Sequence, residues 1–296
     1  MLSSLRLPLI PLLLLASAVA ATADEAKILF FTKSAGFEHP AIKPGKDGGP
    51  GTAEIALTAI GKNDHFTLTT TKDGGVFTAE KLKEFDAFIF YTTGDLTTPG
   101  TDKTPPMSAA GKQAFLDAIK AGKGFVGLHC AADTFHTNNE AHSLKLHAEL
   151  DPYLDMLGAE FIMHGDQQAA KIIVTDPTFP GLEESKDGFE MKEEWYPFKQ
   201  FEKTLHVLLV IDTSTMHGQP YQRGPYPISW IHPYGKGRVF YTAMGHRDDV
   251  LQSPIFTKLV TSGINYALGR ITPDETPNIE KVAPKYADLP PAPTKK

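Results

Sequence analysis

The chain has 296 residues, 41% of them hydrophobic, and a net charge of −6 with acids and bases interspersed, which excludes the basic surface of a nucleic-acid binder. Its single cysteine, Cys130, excludes an intramolecular disulfide, so stability must come from a core, and this length suffices to bury one large core.

Residues 7–20 form an apolar run behind Arg6, broken by Pro8 and Pro11 and followed by the small-residue sites Ala18-Val19-Ala20 and Ala21-Thr22-Ala23. This reads as a signal peptide over 1–23, too short for a membrane anchor. The expected mature protein is secreted or periplasmic, carries a charge of about −7 because only Arg6 is lost, and has no stable membrane insertion.

Lys27 to Thr32 is an apolar strand, and its exit, Lys33 to Pro40, carries His39. A polar Gly/Pro-rich loop follows, then a helix from Thr52 to about Gly61, with Leu57 and Ile60 on its apolar side. His65 to Thr71 reads as a second strand from its β-branched residues. A short helix is expected near Thr78 to Lys83, and Phe85 to Tyr91 is a third buried strand opening into Thr92-Thr93-Gly94-Asp95.

The next helix, Met107 to Ala121, has an inward stripe of Phe115, Leu116 and Ile119. It leads into Gly122-Lys-Gly-Phe-Val-Gly-Leu-His129-Cys-Ala-Ala-Asp133, a Gly-bounded apolar strand that ends abruptly at His129 in a tight corner of the nucleophile-elbow kind. A helix is expected from Asp133 to about Leu150. Ala159 to Gly165 reads as a strand delivering His164, Lys171 to Val174 as another, and Gly188 to Tyr196 as a weak alternation grouping Glu193, Glu194 and Tyr196. His206 to Ile211, Pro227 to His232 and Arg238 to Met244 are further strands, the last two joined by a hairpin loop and ending at Gly245-His246. A final helix, Pro254 to Leu268, stops at Gly269, and 272–296 is a polar Pro-rich tail.

Strand and helix alternate in the first half, while the second half is strand-rich with hairpins. The expected architecture is therefore a three-layer α/β fold whose mostly parallel central sheet is extended by antiparallel strands. In such a sheet the carboxyl ends of the strands share one crevice, so His39, His129, His164 and His246, each directly after a strand or within the loop that follows one, can meet there. His65, His142, His206 and His217 have no such position and read as surface or core histidines.

The segments Gly36-Phe37-Glu38-His39-Pro40, Gly124 to Thr134, Leu157 to His164, Glu193-Glu194-Trp195-Tyr196, Pro227 to Trp230 and Tyr234 to His246 together resemble the ThuA-like (trehalose-utilisation) family, over roughly Ala26 to Arg270. That makes 24–271 one domain between signal and tail. The resemblance implies a flavodoxin-like fold similar to class I glutamine amidotransferases, and an association with the catabolism of oxidised (3-keto) disaccharides and glycosides. Amidotransferases carry a cysteine at the elbow where this chain has His129. Cys130, one step along, points to the other side, so glutaminase chemistry is not expected.

Histidine is both a metal ligand and a base near neutrality. His39 and His164 with Glu194, and His129 or His246 nearby, can form a histidine and carboxylate site for zinc or a similar divalent ion with an open position for substrate. On a keto-sugar, polarisation of the carbonyl would let a base take the neighbouring proton, starting elimination, isomerisation or hydrolysis. The expected catalytic residues are His129, Glu194, Tyr196 and His246, with Asp95, Asp133 and Trp195 on the sugar. Each has a plainer alternative: a strand-end histidine often only bonds a loop, Asp95 can cap its own turn, one of Glu193 and Glu194 can be solvated, and there is no HExxH pattern. Trp230 reads as core and Gly235-Lys236-Gly237 as a turn. The alternative function is a carbohydrate-binding or partner-binding protein without turnover, whose pocket would be richer in aromatics and amides.

Overall fold

The structure is a computed structural model that describes residues 25–101 and 103–292; the expected signal segment lies outside them. Among the described residues, no helix is long and apolar enough to cross a membrane.

In chain order the elements are β1 (Ala26–Phe31), α1 (Thr52–Asp64), β2 (Phe66–Thr71), β3 (Ala87–Phe90), α2 (Ala109–Ala121), β4 (Gly124–Leu128), α3 (Pro152–Leu157), β5 (Glu160–Phe161), β6 (Gln168–Val174), β7 (Phe189–Glu193), β8 (Phe198–Lys199), β9 (His206–Asp212), β10 (Tyr226–Tyr234), β11 (Gly237–Thr242), α4 (Asp248–Leu251), α5 (Pro254–Ala267) and α6 (Ile279–Val282). Nine strands form one sheet in the order β2-β1-β3-β4-β11-β10-β9-β6-β7. The first five are mutually parallel, and every pairing from β11 to β7 is antiparallel. The expected architecture is thus the observed one.

Parallel strands covered on both faces must be apolar throughout, and β3 and β4 are buried at every position. The starts of two of the longer helices follow from their caps. Ser108 accepts from the amide of Gly111 to start α2, and Ser253 accepts from Phe256 to start α5.

The antiparallel half positions the site. Four direction reversals from β11 bring β7 back to the same sense, so its end lies at the same sheet edge as that of β11. Strands spaced about 4.8 Å apart would leave β7 about 19 Å from β11 in a flat sheet. Yet Glu193, the last residue of β7, accepts hydrogen bonds from Gly245 and His246 just past β11. The antiparallel half therefore curls back over the carboxyl edge.

Three expected elements differ. Residues 133–150 are not a helix but a loop with short 3₁₀ turns, in which Phe135, Asn138, Asn139 and His142 all take left-handed backbone angles. Its polar side chains bond each other and the neighbouring turns, which competes with helix formation. The expected strand Ala159 to Gly165 shrinks to β5, paired with β8 in a separate ribbon, so His164 is delivered by a loop. The short helix near Thr78 is a 3₁₀ turn at Lys81–Glu84.

The polar tail packs on the body. Ile279 and Ala283 are buried, and the Asn278 side chain bonds both the amide and the carbonyl of Val207.

Candidate active site

The corner after β4 is built around His129. Gly127 admits the crossing, since a Cβ there would meet Tyr241 at 2.9 Å and Leu157 at 3.0 Å. His129 then takes φ 43, a left-handed angle that costs a non-glycine residue about 1–3 kcal/mol and persists only where its surroundings fix it. Here they do: the Tyr241 hydroxyl donates to its carbonyl at 2.7 Å, and the Tyr196 ring lies 4.3 Å from its imidazole. The imidazole is fully buried, with Nδ1 3.0 Å from the carbonyl oxygen of Ala243. That bond assigns the proton to Nδ1 and leaves the Nε2 lone pair facing the cleft.

Three side chains from distant elements meet that lone pair. His246 Nδ1 is 3.2 Å from His129 Nε2, and Glu194 Oε2 lies 3.0 Å from His246 Nδ1 and 3.5 Å from His129 Nε2. The His39 ring stands edge-on to both, with centroids 5.1 Å from His129 and 5.2 Å from His246. One ligand atom from each of His39, His129, Glu194 and His246 lies within 4.8 Å of all the others. His39 is buried, and its Nδ1 has no hydrogen-bond partner among the described residues.

The donors suit a first-row divalent ion. Zinc bonds of about 2.0–2.1 Å arranged tetrahedrally set neighbouring donors about 3.4 Å apart. The observed separations of 3.0, 3.2 and 3.5 Å bracket that value.

His164 stands outside this set. Its side chain is 42% exposed and its Nδ1 lies 3.5 Å from Glu194 Oε1, the oxygen turned away from the other histidines. Its ring stacks on Tyr196, and Tyr196 on Phe161. Tyr196 is buried against the back of His129, and burial holds its hydroxyl well above the usual phenol range, so it stays protonated.

Electrostatics follow from crowding. Burial raises the Glu194 carboxyl, but hydrogen bonds and charge from His129 and His246 outweigh it and hold the group well below its usual range. Burial lowers His246, and Glu194 more than restores it, leaving a net rise. His39 is pushed down from 6.5 to about 2 by burial, then by His129 and His246. A histidine kept neutral in the fold but free to protonate when unfolded stabilises above its unfolded pKa, and that contribution is lost as pH falls through the window below about 6.5. In ion-free protein, His39→Gln should therefore flatten the loss of stability between pH 6.5 and 4.5, read from urea midpoints. Part of the slope must remain, because burial also lowers His232 to about 4.

Glu193 is buried and organises the rest. One of its oxygens accepts from Gly245 and His246 at 3.0 and 3.2 Å, the other from the amide of Glu194 at 2.8 Å. Neither acid of the pair is solvated. Alternation along β7 pointed to one inward acid, but the curl buries the strand's end.

The three expected sugar contacts fall elsewhere. Trp195 is fully buried with its Nε1 donating to the Gln168 carbonyl, so it offers a ligand no surface. Asp95 accepts from the amide and hydroxyl of Thr97, capping its own turn. Asp133 bonds His136 at 2.7 Å and faces His142, in a cluster of its own. Trp230 is core. Sequence reasoning missed Phe37, which is 64% exposed and stands 5.0 Å edge-on from His39. Its place two residues before His39 was the available signal.

A cavity of about 400 Å³ lined by Pro40, Gln167, His246 and Arg247 opens onto the cluster. A larger apolar hollow, about 830 Å³ between α2 and the end of α5, carries no histidine, and its Asp86 and Lys123 precede β3 and β4, at the opposite edge of the sheet.

The profile of a family described as ThuA, trehalose utilisation, matches residues 27–267. A protein described as ThuA-like from Bacteroides uniformis ATCC 8492 superposes with TM-score 0.62 at 22% identity, over 85% of this chain and 94% of that one. A second, from Parabacteroides merdae ATCC 43184, gives 0.56 at 16% identity, over 90% and 96%. At those identities the likeness is one of fold. No curated protein matches the sequence. The profile spans the sheet from β1 to the end of α5, including all four clustered donors, and on that match the chain belongs to the ThuA family.

Proposed function

We propose that this protein is a secreted or periplasmic enzyme acting on oxidised (3-keto) glycosides or disaccharides by metal-assisted acid/base chemistry. The observation that carries this reading is the donor set of buried His39, His129 and Glu194 with part-buried His246 at the carboxyl edge of the sheet. A site used only to hold sugar has little reason to crowd three imidazoles, two of them buried, and a buried carboxylate against one another.

A divalent ion of the zinc class bound there would act as a Lewis acid toward a substrate carbonyl. His129 is oriented for it by Ala243, and His246 by the Glu193 bonds to its loop. His164, half open to solvent beside Glu194, is the group placed to take a proton from the carbon next to the carbonyl and return it to a leaving oxygen. Tyr196 backs the ring of His129, and its burial makes it a positioning residue.

Phe37 offers the sugar ring an apolar face. Its carbonyl accepts from the Thr93 hydroxyl at 2.8 Å, and the amides of Ala35 and Gly36 donate to the Thr93 carbonyl, so the loop is pinned. Phe37→Ala should raise KM about five- to tenfold with little change in kcat, matching about 1–1.5 kcal/mol for a ring contact.

The test is metal analysis of purified protein, followed by incubation with glucosides and their 3-keto derivatives and product detection by mass. Conversion of the keto sugars that is abolished by chelator and restored by zinc is the expected result. Tight binding of those sugars with no product would convert the reading into one of a binding protein. Absence of both would refute it.

A further inference from the structure

The loop that replaces the expected helix gathers a second set of donors. Asp133 Oδ1 lies 2.7 Å from His136 Nε2 and 3.6 Å from His142 Nε2, and the three residues present ligand atoms within 4.8 Å of one another. The geometry points to a second divalent-cation site, of the two-histidine, one-carboxylate kind that takes zinc or another first-row transition ion.

What separates this cluster from an ordinary ion pair is the group behind it. His136 has a side chain only 6% exposed, and its other nitrogen, Nδ1, has no hydrogen-bond partner within normal range. Glu160 Oε1 stands 3.5 Å from that Nδ1, is wholly buried, and is itself paired with buried Lys199. A carboxylate behind a histidine fixes the ring with its proton on the far nitrogen and presents the near one to a metal. Glu160 sits on β5 and Lys199 on β8, so the ribbon fixes the far side of His136. The three donors come from one strained loop, whose left-handed residues Phe135, Asn138 and His142 turn Asp133, His136 and His142 toward a common point.

In the ion-free chain a proton holds Asp133 to His136; a cation would replace it. Access is open because the His142 side chain is 57% exposed, which leaves positions for water. His142 packs on one aromatic neighbour of the first cluster: its ring is 5.6 Å from Phe161, which stacks on Tyr196 at 4.0 Å, which lies against His129. The second cation would pin the loop on the flank of the first site. This inference does not depend on the reading of that first site.

The experiment is titration of chelator-stripped full-length protein with Zn²⁺ alone by calorimetry, with His142→Ala, Asp133→Asn and His246→Ala in parallel. Wild type should bind one equivalent at this loop, beside the one expected at the first donor set. His142→Ala and Asp133→Asn should each lose the loop's equivalent or bind it at least tenfold more weakly, with any binding at the first donor set unchanged. His142 is exposed enough that its removal leaves the fold intact, checked by the melting curve. Unchanged stoichiometry and affinity in both His142→Ala and Asp133→Asn overturns the proposal. His246→Ala reports on the other site: if it alone leaves zinc binding unchanged, the first donor set fails and this one stands.

Discussion

His129→Ala is expected to lower conversion of a 3-keto-glucoside by more than about a hundredfold, the upper range for losing even an outer partner of a metal ligand. The same variant should lose zinc at the site it shares with His39, Glu194 and His246. The left-handed strain at the corner is borne by alanine as by histidine, so the cost to the fold is mainly the missing ring. Tyr196 and His39 would face a void worth about 2–3 kcal/mol. His129→Asn separates the effects, because asparagine tolerates that backbone angle, and it should be as inactive but more stable than the alanine variant. Cys130→Ser is the contrasting control. The thiol is buried and its pKa is raised well above the ordinary range by burial, so it cannot serve as a thiolate. The added hydroxyl should cost about 1–2 kcal/mol of stability while activity stays within about twofold. Inactivity in the Cys130 variant with its fold intact would reverse the assignment of the two adjacent residues.

Glu193→Ala should be the most destabilising single change at this edge. It strands three backbone donors, those of Glu194, Gly245 and His246, in a buried place. Losing one member of such a buried charged network costs about 3–5 kcal/mol, which for a chain of this size lowers the melting temperature by roughly 10 °C. The loop carrying His246 is released at the same time. Zinc affinity should therefore fall at least about tenfold even though Glu193 is not one of the four donors. Glu193→Gln keeps the shape and should lie between, because its amide group can accept on one side only. Thermal melts and zinc titration of the two variants give the check. Melting within about 2 °C of wild type for Glu193→Ala would mean that other contacts hold the curl.

Much of the parallel half was legible in the sequence because its strands are buried on both faces. Runs such as Ala87 to Phe90 and Gly124 to Leu128 are too short for a helix and apolar throughout, which reads as interior strand, and the polar residues that follow mark the edge. His129 follows from that rule directly, and His39 and His246 lie in the loops that begin at such edges. Glu194 does not: β7 lies four strands from β11, and only the curl of the antiparallel half brings its end to His246. Trp195 was misplaced for the related reason that the residue beside an inward acid turns into the core here. The loop after His129 was misread because its spacing permits an amphipathic helix. Asn138 and Asn139, which accept left-handed angles, were the signal against it.

The packed tail alters what a boundary drawn from composition would do. Past the Val174–Leu209 pair β6 reaches β9 only through Thr175, whose amide donates to the Leu208 carbonyl and whose hydroxyl donates to that of Val207, and the Asn278 carboxamide fills the rest of the edge at Val207. A chain cut at Thr272 would keep every donor and every helix of the body, yet would strip the Leu205 carbonyl and the Val207 amide of their partners along an apolar edge. Such an edge recruits a second molecule, so the shortened protein should self-associate at concentrations where the full chain stays monodisperse.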